Sequence, residues 1–359
     1  MTISLMPSGA DPVTMDVAGH PVVLHHGDPG AEYHALRHSA LLVDRTHRGR
    51  SLFEGARARE TLTGLLTNDA LSLEPGQGQY AAALTPKGKI IADVRVYALA
   101  TDRVLVDIAP RATEGWWAMV RKFVNPRVTP YRDLGPAWQH LGVFGPDARR
   151  LVASVTGIDN DALEALPPYA LRQAVVEGVE MIVARSPELG IEGYDCWTAG
   201  PIDSISRRLV RGGATPGGLA AWDIARVENG RPEWGLDIDE STLPQEANFD
   251  DWHALSYTKG CYTGQETVAR VHFRGHVNRQ LRGLRFDLSE PLVLGSQLAD
   301  SDGKVLGDVR SSAMSPRLGA IALGMVRCEI APGSVLIGRA PGGALECPVL
   351  VHALPFAGH

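Results

Sequence analysis

From residue 278 onward the chain is written in short apolar runs, at 280–286, 297–299, 305–311, 320–327 and 335–337. The runs are separated by segments containing Gly, Asp, Ser and Pro. None is long enough to make an amphipathic helix, so this tail must bury its apolar face by strand pairing. A small β-barrel or sandwich is the architecture it predicts. The residues before it mix strands and helices in clusters, without a regular βαβ alternation, which predicts an α+β region. The change of texture places a boundary between 275 and 280. It divides the 359 residues into a polar, Pro- and Gly-punctuated flexible arm at 1–20, an α+β region of two subdomains at 21–277, and a barrel domain at 278–359.

Within the middle region the spacing predicts a short strand at 51–54 and a helix over 56–66, with Ala58, Leu62, Leu65 and Leu66 on one face. A three-strand meander follows at 79–84, 89–98 and 103–108. In its central strand Ile90, Ala92, Val94 and Val96 share one face, and Ile91, Asp93, Arg95 and Tyr97 the other. A helix is expected over 112–124, with Trp116, Val120 and Phe123 aligned in its core face. A strand pair is expected from 139–144 and 178–186, then helices over 202–211 and 218–229, the last ended by Gly230.

Composition narrows the function classes. Hydrophobic residues make up 44% and charged residues 21%, so disorder is not the general state. Acidic residues number 41 against 35 basic ones, which argues against nucleic acid or an anionic membrane as the main partner. No apolar run approaches the roughly 20 residues of a membrane helix, and the N-terminus lacks the pattern of a signal peptide. Cys196, Cys261, Cys328 and Cys347 form no CxxC pair. The expectation is a reduced, cytoplasmic protein with no metal site.

The most informative segment is KGCYTGQETVAR, residues 259–270. Thr263 and Glu266 have capping-box spacing, so a helix is expected from Thr263. Cys261 then precedes a helix N-terminus and stands two residues from Lys259, both of which favour thiolate. The alternative is that Gly260 and Gly264 shape a tight loop and Cys261 is a small buried filler, the commoner fate of a free cysteine. Asp93 is a carboxylate in an apolar strand. It reads either as half of a strand-face ion pair with Arg95 or as a cavity carboxylate facing a ligand nitrogen. Asp195, in Gly193-Tyr194-Asp195, could accept two parallel hydrogen bonds from an amidine-like ligand edge, or simply sit at a strand end. His272 and His276 lack further ligands at metal spacing. There is no GxGxxG after a strand, no GxxxxGK[ST] and no GxSxG.

The segment KGCYTGQE resembles the signature of the YgfZ-type folate-binding proteins, which lie in the wider superfamily of the glycine-cleavage T-protein, an aminomethyltransferase. Weaker likenesses follow the superfamily's order: LVDRTHRG at 42–49, LTND at 66–69, LTPKGKI at 84–90, ARVENG at 225–230 and VLGDVRSS at 305–312. The resemblance implies an α+β ring of subdomains around a central folate cavity, with a C-terminal barrel and tetrahydrofolate or a one-carbon derivative as cofactor. Asp93 would lie near the reactive folate nitrogens. Asp195 stands where the T-protein has a longer Glu for the pterin edge, with Tyr194 beside it. Arg226 matches a family Arg near the cavity, and Lys259 and Cys261 match the residues of the YgfZ branch. The expected function is a tetrahydrofolate-binding accessory of iron–sulfur cluster assembly or repair, with iron–sulfur client enzymes as partners. The alternative is a tetrahydrofolate-dependent one-carbon transferase, and a third is a protein that only stores or senses folate.

Overall fold

The computed structural model describes residues 11–356 except Pro201 and Ala344. It divides into two compact units. The first comprises residues 11–83, 92–222 and 258–262, the second residues 84–91, 223–257 and 263–356. The second unit therefore takes in more chain than the barrel domain that the sequence delimits.

The first unit opens with a hairpin. Val13–Val17 pairs antiparallel with His20–His25 across a two-residue turn. Ala18 and Gly19 hold that turn with φ of 53° and 82°, the left-handed pair that matches strand twist. The expected flexible arm is thus a strand from Val13; its first ten residues lie outside the described ones. A helix that the sequence analysis did not anticipate, Pro29–His38, follows. It is set by its start: Pro29 opens the first turn and the Asp28 carboxylate accepts from the amides of Gly30 and Ala31.

Six strands make one sheet, in the order Leu171–Val176, Val179–Arg185, Gly193–Thr198, Gln139–Phe144, Leu41–Asp44 and Thr215–Gly217. The strands expected at 139–144 and 178–186 are both present but do not pair, because Gly193–Thr198 lies between them. Alternation decides what each face does. Leu141, Val143, Val183, Tyr194 and Cys196 pack under the helices Ala148–Thr156 and Asp203–Arg211, through Leu151, Val152, Val155, Ile205 and Leu209. His140, Gly142, Ala184, Asp195 and Trp197 take the opposite face. A five-stranded sheet runs Gly78–Leu84, Ile90–Ala100, Arg103–Ile108, Gly49–Glu54 and Tyr131–Asp133. The helices Ala58–Leu65 and Thr113–Phe123 fall inside the predicted spans.

In the second unit six strands close into a barrel, ordered Arg279–Phe286, Gly319–Arg327, Val305–Ser315, Gln297–Ala299, Val335–Arg339 and Glu346–His352. The first strand begins at the predicted boundary. The sixth strand was not read from the sequence, although Cys347, Val349 and Val351 alternate inward along it. The interior is filled by such residues, Leu284, Leu298, Val309, Ala322 and Val326 among them. Closure leaves no unpaired edge. The fold class stands as expected from the sequence: mixed α/β subdomains with a C-terminal closed barrel.

Candidate functional site

Asp93 sits in the middle of the strand Ile90–Ala100 and is fully buried. Its Oδ2 accepts from the Tyr80 hydroxyl at 3.1 Å and from Arg95 Nη1 at 3.0 Å. Its Oδ1 has no hydrogen-bond partner. A carboxylate oxygen left bare in a dry interior costs about 1–3 kcal/mol, more if charged, so an orphan of this kind calls for an explanation. The strand-face ion pair with Arg95 is real, but it is buried rather than solvated. Alternation puts Asp93 and Arg95 on one face, and Arg95 stands directly across from Asp107 on the neighbouring strand.

From Arg95 an unbroken chain of charges runs to Asp195. Arg95 Nε donates to Glu188 Oε1 at 2.5 Å. The other Glu188 oxygen accepts from Arg45 Nη2 at 3.1 Å, and Arg45 Nη1 donates to Asp195 Oδ1 at 2.7 Å. His140 Nε2 stands 2.8 Å from the same Asp195 oxygen. Every side chain in this chain is at most 6% exposed. Asp107 closes a branch, receiving Arg48 Nε on both oxygens at 3.0 and 2.9 Å. The first unit thus brings Asp93 and Asp195, a hundred residues apart, into one network that joins its two sheets.

Local structure explains each member. Asp195 is mid-strand, paired with Gly142 and Ala184, not at the strand end or helix start that the sequence suggested. Gly142 gives Arg45 room: a Cβ there would meet the Arg45 stem at 3.1 Å. The Arg45 guanidinium also lies 4.9 Å over the Trp222 ring. Burial opposes ionisation of Asp195, yet Arg45 and His140 hold its carboxyl below the usual range. Burial pushes His140 down, with Asp195 resisting, so its neutral form prevails. Tyr80 adds an aromatic wall beside Asp93, stacked on Tyr169 at 6.4 Å.

Two expected ligand residues are engaged within the protein. Tyr194 faces away from Asp195, as neighbours on a strand must. Its hydroxyl lies 3.0 Å from Glu192 Oε1 and 3.2 Å from the Leu163 carbonyl, the two acceptors that share its proton. Arg226, in the second unit, is occupied structurally: Nε donates to Asp223, Nη1 to Asp237 and the Arg231 carbonyl, and Nη2 to Ser311 Oγ. Four of its five N–H directions are used.

Lys259 and Cys261 form a separate group. Lys259 donates from Nζ to the Thr63 carbonyl and lies 4.3 Å over the Tyr262 ring. Burial lowers its ammonium pKa to about 8, against the pull of Asp69 and Cys261. Cys261 is exposed, so it is not the buried filler of the bland alternative. The expected capping box does not form. The helix runs Gln265–Arg274 with Gly264 at its N-cap, φ 84°, and no side-chain cap. Gly264 is required there by conformation and by space, since a Cβ would meet the Thr85 carbonyl oxygen at 2.6 Å. The helix ends at Arg274 with Gly275 as its C-cap, so His272 lies on it and His276 beyond it. Among the described residues no three His, Cys, Asp or Glu side chains group as metal ligands. No helix among them is long and apolar enough to cross a membrane.

Family models match nearly the whole described chain: the GCVT N-terminal domain over residues 21–255 and the glycine cleavage T-protein C-terminal barrel domain over 279–356. The chain belongs to the glycine cleavage T-protein family. Among its relatives, an aminomethyltransferase of Rubrobacter xylanophilus is 32% identical over 352 residues, covering 95% of this chain and 90% of that one. An aminomethyltransferase of Nostoc sp. is 29% identical over 309 residues, covering 84% and 80%. The crystal structure of the glycine cleavage system aminomethyltransferase T from Bartonella henselae superposes with a TM-score of 0.87 at 24% identity, over 97% of this chain and 95% of that one, a likeness of fold. Aminomethyltransferases of the family use tetrahydrofolate.

Arg45, Arg48, Asp107, Glu188 and His140 were not singled out by the sequence reading. Asp107 carried the same signal as Asp93, a lone acid in an apolar strand. Arg45 and Arg48 lay inside the family-like turn 42–49. Glu188 lies in a Pro-led loop, and nothing local marks it.

Proposed function

We propose that the chain is a tetrahydrofolate-dependent one-carbon transferase, working on an aminomethyl or methyl donor. The single observation that carries this reading is the orphaned Asp93 Oδ1, a buried acceptor set in an otherwise fully paired carboxylate. A ring N–H or a nitrogen gaining positive charge fits that oxygen, and the family's cofactor offers such nitrogens. When bound, tetrahydrofolate supplies the nucleophilic nitrogen that receives the one-carbon unit. Asp93 would accept the proton or stabilise the developing cation, which is favourable in a buried site where water does not compete. Tyr80 and Arg95 fix the carboxylate so that Oδ1, not Oδ2, is offered. Asp195 stays ionised through Arg45 and His140, ready to accept from a pterin amino edge. Asp93→Asn should leave tetrahydrofolate binding nearly intact and lower methylene- or methyl-folate formation by about 10²-fold or more. Turnover unchanged in Asp93→Asn, or no product with any aminomethyl or methyl donor, would end the proposal.

A second reading, an accessory role in iron–sulfur assembly of YgfZ type, is favoured by one feature: the thiol of Cys261 is exposed beside Lys259 within KGCYTGQE. There Cys261 would act as thiolate toward a cluster or a client thiol. Cys261→Ser should then abolish rescue of client enzymes in cells while folate binding persists. Full rescue by that variant would remove the accessory role.

A further inference from the structure

A cavity of about 640 Å³ opens in the first unit between the Val13–His25 hairpin, the turn 44–50 and the segment Pro110–Glu114. Neither Asp93 nor Asp195, nor Lys259 or Cys261, lines it. Arg48, Arg50 and Arg111 line it with the imidazoles of His20 and His47, and so do the carboxylates of Asp44, Glu114 and Asp133. Arg50 is the telling member. It is 2% exposed, and only Nη2 is engaged, donating to the carbonyls of Thr46 at 3.0 Å and Gly135 at 2.9 Å. Nε and Nη1 have no hydrogen-bond partner.

The natural counter-ion is taken. Arg50 stands directly across from Asp107 in the sheet, but Asp107 spends both oxygens on Arg48. Of the three acids on the cavity wall, two are partly committed within their own turns: Asp44 Oδ1 accepts from the Thr46 amide and Asp133 Oδ1 from the Gly135 amide; the third, Glu114, is exposed. A buried guanidinium with three N–H directions unmet is costly, and an acceptor from outside is what removes the cost. Burial lowers the Arg50 pKa, with Asp107 opposing, and a bound anion would push it back up. His47, held well below its ordinary pKa by burial and by Arg48 and Arg45, is neutral and available as a hydrogen-bonding group.

We infer that this cavity is a binding site for an oxyanion, the carboxylate or phosphate of a small organic molecule, received by Arg50 and Arg111. The volume lies in the range of small-molecule sites and exceeds what a bare ion needs, so the anion belongs to a larger ligand. The cavity shares Arg48 with the Asp107 branch of the buried network but is lined by neither Asp93 nor Asp195, and it does not depend on the transferase reading.

Isothermal titration of the full chain with inorganic phosphate, and separately with acetate, tests this. One-to-one saturable binding is expected for at least one of them, the preferred probe telling phosphate from carboxylate ligands. Arg50→Gln should weaken it tenfold or more. Arg111→Gln, at a half-exposed position, should also weaken it several-fold, and decides the matter if Arg50→Gln fails to fold. Asp93→Asn should leave phosphate or acetate binding unchanged, which separates this site from the proposed folate site. Absence of saturable binding to both probes, or binding indifferent to both arginine substitutions, overturns the assignment.

Discussion

Arg45 is the keystone of the buried network, and its removal has a size that can be worked out. Arg45→Met preserves most of the side-chain stem and deletes the charge. Two carboxylates lose their shared cation: Glu188 at 3.1 Å and Asp195 at 2.7 Å, both nearly inaccessible to water. Breaking a buried ion pair by removing one partner costs about 3–5 kcal/mol, because a charge is left uncompensated. Here each acid keeps one other partner, Glu188 keeping Arg95 and Asp195 keeping His140, so the lower end applies. A loss of about 3 kcal/mol, divided by a urea slope of about 3 kcal/mol per molar, moves the midpoint down by roughly 1 M. Arg45→Met/Asp195→Leu should recover part of the loss, since deleting both charges leaves less unpaired. A midpoint shift under roughly 0.3 M in Arg45→Met would refute the claim that this arginine holds the two acids together.

The same variant has a pH signature. Burial keeps His140 below its ordinary pKa of 6.5, and Arg45 pushes in the same direction. A group with a lowered folded pKa binds fewer protons in the folded chain than in the unfolded one. Stability is therefore full above about pH 6.5 and falls as pH drops through the window below it. Removing Arg45 relieves the repulsion and leaves Asp195 needing a cation, so His140 becomes more basic. Urea titrations between pH 7 and 5 should show a shallower decline in Arg45→Met than in the parent chain. A steeper decline contradicts the assignment of His140 as the neutral partner.

Two further outcomes follow. The chain has only five lysines, Lys87, Lys89, Lys122, Lys259 and Lys304, so reductive ¹³C-methylation and an NMR titration can resolve one outlier; the Lys259 resonance should titrate near pH 8, and a midpoint above 10 would show that its ammonium is not desolvated. Tyr194→Phe should cost about 1 kcal/mol for the hydroxyl's lost bond to Glu192 and Leu163 and leave tetrahydrofolate affinity unchanged; weakened binding at unchanged stability would return Tyr194 to the ligand site.

What the sequence revealed and what it withheld divide along one line, the range of the interactions involved. Period-two alternation is local, so the barrel strands and the strand carrying Asp93 and Arg95 could be read directly. So could Gly230 as a stop, with its φ of 69°. The hairpin at Val13–His25 and the helix at Pro29–His38 were missed because they are set by a turn conformation and a single capping carboxylate, not by apolar period. Pairing order is a tertiary property: nothing near 139–144 or 178–186 announces that 193–198 will come between them. The candidate site obeys the same division. Asp93 is conspicuous as an acid among valines and isoleucines, and its meaning changes only when Glu188 and Arg45, 93 and 150 residues removed from Arg95 and Asp195, arrive beside it. A surface ion pair between Asp93 and Arg95 would have been worth little. Drawn into the interior and extended through Glu188 and Arg45, the same pair becomes a rigid frame that leaves one carboxylate oxygen unserved. That residual oxygen is the one on which the proposed transferase reading rests, and the Asp93→Asn measurement is what tests it.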